Sequence, residues 1–251
     1  MKILHLDIET APHTVHTWGT RKQNIALSQI IKPGYTLCWA AKWDGERKIK
    51  FSSILETTAK KMIQEIHGLI SEADAVVHYN GNKFDMPTLN GEFLKHGLHP
   101  PQPWENIDLF RVCLKQFRLV SYKMDYLARY LGVGQKLNHK GHELWVECIN
   151  GDISAWRTMK RYNIQDVRIL EKIYHKLLAW IDTHPNHNVY NDSGERVCVR
   201  CGGKNIHKRG YRFKGLGKYE RFRCMDCDAW MQGRFTQLSK ETRATMLKSA
   251  S

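Results

Sequence analysis

The sequence has no hydrophobic run long enough to cross a membrane and no recognisable export signal. Its 251 residues contain no apolar stretch near the ~18 to 20 residues that span a bilayer. The first residues, MKILHLDIET, lack both the basic segment and the small-residue cleavage site of a secretory signal. We therefore expect a cytoplasmic protein with no membrane partner.

Acidic residues are fewer than basic ones. The sequence has 25 Asp and Glu and 39 Lys and Arg, which gives a net charge of +14. Such an excess favours a polyanionic partner, although solubility alone would also account for it. Residues 189–251 contain 14 basic and 6 acidic residues and carry +8, whereas residues 1–188 carry only +6. The C-terminal part is therefore the more basic one.

The hydrophobic pattern predicts strands followed by alternating helices. Strands are expected at residues 2–8, 35–43, 48–53, 75–79 and 106–109. Helices are expected at residues 62–70, 87–96, 122–131, 144–149 and 167–181. This order predicts an α/β fold in which helices flank a mixed sheet.

A polar stretch at residues 184–195, rich in Pro, Asn, Asp, Ser and Gly, predicts a linker. We place a domain boundary near residue 188. The prediction is a larger domain at residues 1–188 and a small basic domain at residues 189–251.

The seven cysteines fall into two groups. Three lie among apolar residues and are expected to be buried thiols: Cys38, Cys113 and Cys148. The other four form two C-x-x-C pairs separated by 22 residues: Cys198, Cys201, Cys224 and Cys227. Paired spacing with an odd total indicates a metal site rather than disulfides, and four thiolates would enclose one structural Zn²⁺. A thioredoxin-type redox pair lacks the βαβ context that it would need.

Several acidic residues lie where strands or helices are predicted to end. Asp7 and Glu9 are two apart on the first strand, so both carboxylates point to one face and could share a metal, unless they are simply a solvated strand end. Asp85 follows the fourth strand and could also be a first-turn helix acid. Asp166 lies four residues after Tyr162, which places the two side chains on one helical face.

These residues occur within three motifs whose order resembles a known family. D-I-E at residues 7–9, Y-N-G-N-K-F-D at 79–85 and Y-N-I-Q-D at 162–166 resemble the motifs of the DEDD superfamily of 3′-to-5′ exonucleases in its tyrosine form. A sibling class has histidine where this chain has Arg161. The nearest likeness is to the proofreading domain of family B DNA polymerases, over about residues 3–178. It implies an RNase H-like sheet, here as a stand-alone nuclease because no polymerase domain fits after residue 188.

The resemblance also implies a role for each residue. Asp7 would bridge two Mg²⁺ or Mn²⁺ ions, Glu9 and Asp166 would complete one site, and Asp85 would serve the other. Tyr162 would orient the attacking water, because an ordinary tyrosine pKa of ~10 makes it a poor general base. Two further residues would contact the substrate or its surroundings: Thr10 and Asn80.

Basic and aromatic residues alternate between the two cysteine pairs. Five of them are expected to bind nucleic acid through phosphate contacts and base stacking: Lys208, Arg209, Tyr211, Arg212 and Arg221. In the alternative, the aromatic residues form the core of a small ribbon and the charges only solvate it. Residues 217–227 also resemble zinc ribbons of some transposases, which supports nucleic-acid contact only.

Some residues near the motifs allow two interpretations. His139 and His142 could touch a phosphate, but we interpret them as solvated loop residues. Trp18, which lies shortly after the first two acids, could stack on a base or have an ordinary packing role.

The sequence thus predicts a metal-dependent exonuclease that hydrolyses phosphodiester bonds at 3′ ends, with single-stranded DNA favoured and a zinc ribbon that aids binding. An RNA 3′-end exonuclease is one alternative. The other is a zinc-ribbon nucleic-acid-binding or assembly protein, in which the RNase H-like part is a scaffold. A replication or repair protein is the expected protein partner.

Overall fold

The computed structural model describes residues 1–248, and residues 249–251 at the end of the predicted C-terminal domain lie outside the described part. The chain divides into two compact units. One is Lys2–Tyr174. The other consists of the C-terminal part of the chain from His175 onward, together with Met1. The boundary expected near residue 188 stays a prediction.

The larger unit is built on a five-stranded mixed sheet. Its strands are β1 (Ile3–Thr10), β4 (Thr36–Trp43), β5 (Ile49–Ser53), β6 (Ala75–His78) and β7 (Glu105–Asp108), and a separate pair is formed by β2 (Thr14–Val15) and β3 (Ile30–Lys32). The strand order is β5-β4-β1-β6-β7. β1 pairs antiparallel with β4 and parallel with β6, and β7 is parallel to β6. The predicted mixed sheet is confirmed, whereas the β2–β3 pair was not anticipated.

Six helices accompany this sheet: α1 (Ala59–Glu72), α2 (Asp85–Lys95), α3 (Leu109–Gln116), α4 (Met124–Tyr130), α5 (His142–Ile149) and α6 (Ile153–Leu177). The last helix differs from the expectation of residues 167–181, because it begins about four turns earlier and gives way to a 3₁₀ turn at Leu178–Trp180. Helix α3 was not predicted. Within residues 1–248, no helix combines the length and the apolar content needed to cross a bilayer.

Apolar layers cover both faces of the sheet. On one face, Leu4, Leu6 and Ile8 of β1 pack with the buried side of α1. On the opposite face lie Cys38, Leu144, Trp156, Met159 and Tyr162. Because strand side chains alternate, Asp7 and Glu9 point to this second face, toward the elements that carry Tyr162.

The smaller unit contains a three-stranded antiparallel sheet of β8 (Ile206–Lys214), β9 (Gly217–Cys224) and β10 (Trp230–Gln232), with a short helix α7 (Lys240–Ala244). The stretch predicted as a linker contains a 3₁₀ helix, His187–Tyr190. It is held by the Asn188 side chain, which donates to the Val197 carbonyl at 2.9 Å. That stretch is therefore more ordered than its composition suggested.

Candidate active site

The first two acids lie on the end of β1, which continues through both of them to Thr10. Asp7 and Glu9 are half-buried and lie opposite Ala40 and Cys38 of β4, and the pairing shifts at a bulge directly after Glu9. The Asn163 side chain donates to the Asp7 carboxylate at 2.7 Å and to its carbonyl at 3.2 Å. Asn163 thus joins α6 to β1, a role that sequence reasoning missed.

Helix α6 brings Asp166 to the same place. One oxygen each from Asp7, Glu9 and Asp166 lie within 4.8 Å of one another. Asp166 is buried, and its Oδ1 has no hydrogen-bond partner among the described residues. A buried carboxylate oxygen without a partner is costly, which suggests a site that an additional ligand completes.

Asp85, the first residue of α2, is hydrogen-bonded to β1 at the residue between Asp7 and Glu9. Its Oδ1 accepts a hydrogen bond from the Ile8 backbone N–H at 3.2 Å, and the side chain is buried. The preceding turn needs its glycine, because a Cβ on Gly81 would lie 2.5 Å from the His78 ring. The turn is also held by Asp108, whose carboxylate accepts from the Asn80 N–H at 2.9 Å.

The structure adds Lys136, from the loop between α4 and α5, to the predicted residues. Its ammonium pairs with the Asp166 carboxylate and donates to the Tyr162 hydroxyl at 3.0 Å. Its backbone N–H donates to Asp125 Oδ1 at 2.9 Å, which fixes the loop. No motif in the sequence marked this lysine, because its partners come from a distant helix.

Aromatic rings enclose Tyr162. The His139 and Trp145 rings pack edge-on against it, with centroids 4.7 and 6.0 Å away. His139 is half-buried, so its interpretation as a merely solvated loop residue is wrong. Its ring instead helps to set the position of the phenol.

The carboxyl groups disfavour one another's charge. Burial raises the pKa of Asp7 well above its usual range, and the charges of Asp166, Glu9 and Asp85 add to this effect. Burial also raises the pKa of Glu9 to about 8 and that of Asp85 to about 7, while Lys136 opposes the increase at Glu9. Bound cations would therefore favour the fully ionised form of this group. Its hard oxygen donors and the unpartnered Asp166 Oδ1 fit Mg²⁺ or Mn²⁺.

Tyr162 is held as a neutral phenol. Burial and the charge of Asp166 raise the pKa of Tyr162, and Lys136 opposes the shift. At neutral pH the hydroxyl therefore stays protonated and can donate or accept a hydrogen bond.

A cleft of about 550 Å³ opens beside Asp7. It is lined by Asp7, Tyr79, Asn80, Phe110, Tyr122, Lys123, Met124, Asp125 and Lys136. The Tyr79 hydroxyl donates to the Tyr122 carbonyl at 2.6 Å, so one aromatic wall is fixed. Asn80, a predicted substrate contact, lies in this cleft. Thr10 is half-buried beyond the β1 bulge and is not one of the lining residues.

The four clustered cysteines come together in the smaller unit. Cys198 Sγ lies 3.6 Å from Cys227 Sγ, and Cys201 Sγ lies 3.6 Å from Cys224 Sγ, so all are free thiols. A Zn–S distance of ~2.3 Å in a tetrahedron separates thiolates by ~3.8 Å, so the cluster is compatible with zinc. Two backbone N–H groups, of Arg200 and Gly203, also donate to its sulfurs. The other three cysteines are buried as expected.

The predicted nucleic-acid residues of this unit are exposed along β8 and β9. Lys208 pairs with Glu220 at 2.5 Å and lies over the Tyr211 ring, and Arg221 lies over Trp230. Arg209 and Arg212 are exposed on β8. Of the aromatic residues, Phe222 is buried while Tyr211 is exposed. The expectation of an aromatic core thus holds at Phe222 and not at Tyr211.

Comparison with known proteins agrees with this architecture. A sequence model of the RNase H superfamily matches residues 31–178, which is more than half of the chain. The chain therefore belongs to the RNase H superfamily, which commonly comprises metal-dependent nucleases. The match includes Asp85, Tyr162 and Asp166 and begins after the two acids of β1. No curated protein sequence matches the chain.

Proposed function

We propose that this protein is a metal-dependent 3′-to-5′ exonuclease of the tyrosine-type DEDD class, acting on single-stranded ends with DNA favoured over RNA. The observation that carries the proposal is the meeting of carboxylates from distant parts of the chain. Oxygens of Asp7, Glu9 and Asp166 lie within 4.8 Å of one another, and Asp85 is bonded to the backbone between the first two.

The four carboxylates would hold two Mg²⁺ or Mn²⁺ ions, which would stabilise charge on the attacked phosphodiester. Asp7 suits the bridging position, because the charges of Glu9, Asp85 and Asp166 all raise its pKa. Lys136 pairs with Asp166 Oδ2, so the unpartnered Oδ1 remains available to a metal. Its ammonium also lies beside the Tyr162 hydroxyl, where it can donate to a phosphate oxygen.

Tyr162 would position the attacking water through its hydroxyl. A raised pKa makes the phenol a hydrogen-bonding group rather than a base. The Lys136 ammonium on one side and the His139 ring on the other restrict where the hydroxyl points. Such positioning supports a favourable approach of water to the phosphorus.

The cleft beside Asp7 would receive the terminal nucleoside. Tyr79, Phe110 and Tyr122 supply ring surface on which a base can pack. Asn80 has an amide that both donates and accepts hydrogen bonds, and Lys136 supplies positive charge near the phosphate.

The small unit would be a zinc ribbon that binds nucleic acid through residues other than those of the active site. Replacing both Arg209 and Arg212 by Ala should flatten the salt dependence of single-strand binding by about 0.7 per lost phosphate contact. Replacing Lys240 and Arg243 of α7 by Ala changes the net charge equally and serves as the matched control. An unchanged slope in the first variant would remove these arginines from the binding surface.

The test of the proposed activity is incubation of the full chain with matched single-stranded DNA and RNA in Mg²⁺ or Mn²⁺. The expected products are mononucleotides, formed faster from DNA, and EDTA should stop their release. If RNA is degraded faster, the enzyme is an RNA exonuclease. Strands that are bound but left intact would instead identify a nucleic-acid-binding or assembly protein.

A further inference from the structure

We propose that the segment of residues 12–34, called the arm below, is a second contact for single-stranded nucleic acid, in which Trp18 stacks on a base. The inference rests on the proposed function only in assuming that the ligand is nucleic acid. It concerns a part of the larger unit that neither the acidic motifs nor the cysteine ribbon includes.

The arm is an ordered hairpin at its base. Within it, β2 and β3 pair, and the His16 N–H donates to the Gln29 carbonyl at 2.9 Å. The Gly34 N–H donates to the His13 ring at 2.9 Å, and the Ala11 N–H donates to the Tyr35 carbonyl at 2.8 Å. These bonds close the hairpin where it leaves the sheet.

Beyond this base, the arm has no core. Every residue from 12 to 33 is exposed or half-buried, and the Trp18 side chain is fully exposed. The packing role considered for Trp18 is therefore wrong. A wholly exposed tryptophan buries no apolar surface within the chain, whereas exposed rings of this kind commonly bind a partner.

The charge of the arm selects a polyanion as that partner. No acidic residue occurs between Glu9 and Asp44, and the arm carries Arg21, Lys22 and Lys32. An aromatic ring with adjacent cations, Trp18 with Arg21 and Lys22, is the combination that binds single strands through stacking and phosphate contacts. A basic surface without acidic residues fits a nucleic acid better than it fits most protein surfaces, which carry charges of both signs.

The arm leaves the sheet next to the two acids of β1. It leaves β1 at Ala11, two residues after Glu9. Trp18 is seven residues further, so at ~3.3 Å per residue it lies at most about 23 Å from Ala11. That reach equals about seven stacked nucleotides at ~3.4 Å each. Trp18 would therefore contact a nucleotide a few positions from the one being removed.

The test is the dependence of a Trp18→Ala effect on substrate length. With a single strand of about 15 nucleotides, twice the arm's reach, Trp18→Ala should raise KM about 5- to 100-fold and leave kcat unchanged. With a dinucleotide as substrate, Trp18→Ala and the wild type should have equal KM and equal kcat. Trp18→Phe should restore most of the affinity, and Leu27→Ala, an exposed apolar change on the same arm, should have no effect.

A second measurement separates this inference from the proposed activity. Anisotropy of a labelled strand in EDTA reports binding without cleavage, and Arg21→Ala with Lys22→Ala should lower its salt slope by about 1.4. Lys60→Ala with Lys61→Ala on α1 changes the charge equally and should not. Unchanged binding in the arm variants, or an equal loss on the dinucleotide, would overturn the contact. If the wild type cleaves nothing, the proposed activity fails while the binding data still decide the arm.

Discussion

Replacing Asp85 by Asn should stabilise the metal-free protein at pH 8 while abolishing its activity. The Asn side-chain oxygen can still accept the Ile8 N–H, as the Asp85 carboxylate does at 3.2 Å. Burial raises the pKa of Asp85 from 3.8 to about 7 in the folded protein, and backbone N–H groups oppose the shift. A folded-state pKa above the unfolded one means that the contribution to stability is complete below about pH 4 and is lost as pH rises through about 7.

The size of the effect follows from the shift. A difference of about 3 pKa units corresponds to ~4 kcal/mol at 1.36 kcal/mol per unit. Because neighbouring carboxyls share the remaining protons, we expect Asp85→Asn to gain about 2 to 4 kcal/mol over wild type at pH 8 and about 1 to 1.5 kcal/mol at pH 5. Mn²⁺ should reverse the order, since it stabilises the wild type by binding and the variant has lost one ligand.

The assay is urea unfolding followed by tryptophan fluorescence at pH 5 and pH 8, in EDTA and then in Mn²⁺. Glu72→Gln is the control for loss of one carboxylate, because the Glu72 side chain is 57% exposed. Its effect should stay within about 0.5 kcal/mol. A variant that is less stable than wild type at pH 8 in EDTA would refute the view that burial of charge, relieved by metal, dominates this site.

Three further results are expected. Tyr162→Phe should slow cleavage about 10- to 1000-fold with unchanged strand binding, and equal turnover would make Tyr162 a packing residue. Lys136→Met should lower the unfolding free energy of the EDTA-treated protein by about 1 to 3 kcal/mol at pH 7, because it leaves Asp166 without its cation. An unchanged unfolding free energy in a denaturant titration would show that this ion pair does not stabilise the metal-free protein. Cys198→Ser should lose zinc by elemental analysis while Cys113→Ser keeps it, and equal zinc in both would move the metal elsewhere.

The sequence was informative wherever function depended on local periodicity. Asp7 and Glu9 lie on one face of β1 because side chains alternate along a strand, and Tyr162 and Asp166 share a face of α6 because they are four residues apart. The paired C-x-x-C spacing likewise predicted the four-sulfur cluster. Each of these features is fixed by the geometry of a single element or a tight turn.

Features that depend on long-range contacts were not predictable in this way. Lys136 reaches Asp166 across 30 positions, and Asn163 reaches Asp7 across 156. The turns of α6 before Tyr162 were missed, although Ala155, Trp156 and Met159 are buried there at helical spacing. The arm was missed because its two strands are short and its residues are exposed, so no apolar alternation marks them.

The direction of degradation tests the central claim most directly. Matched single strands labelled at the 5′ or the 3′ end are incubated with the full chain in Mg²⁺, alongside Asp7→Asn. We predict a ladder of shortening products from the 5′-labelled strand, immediate release of labelled mononucleotide from the 3′-labelled strand, and neither product with Asp7→Asn. Internal cuts, release from the 5′ end, or wild-type rates in Asp7→Asn would contradict it.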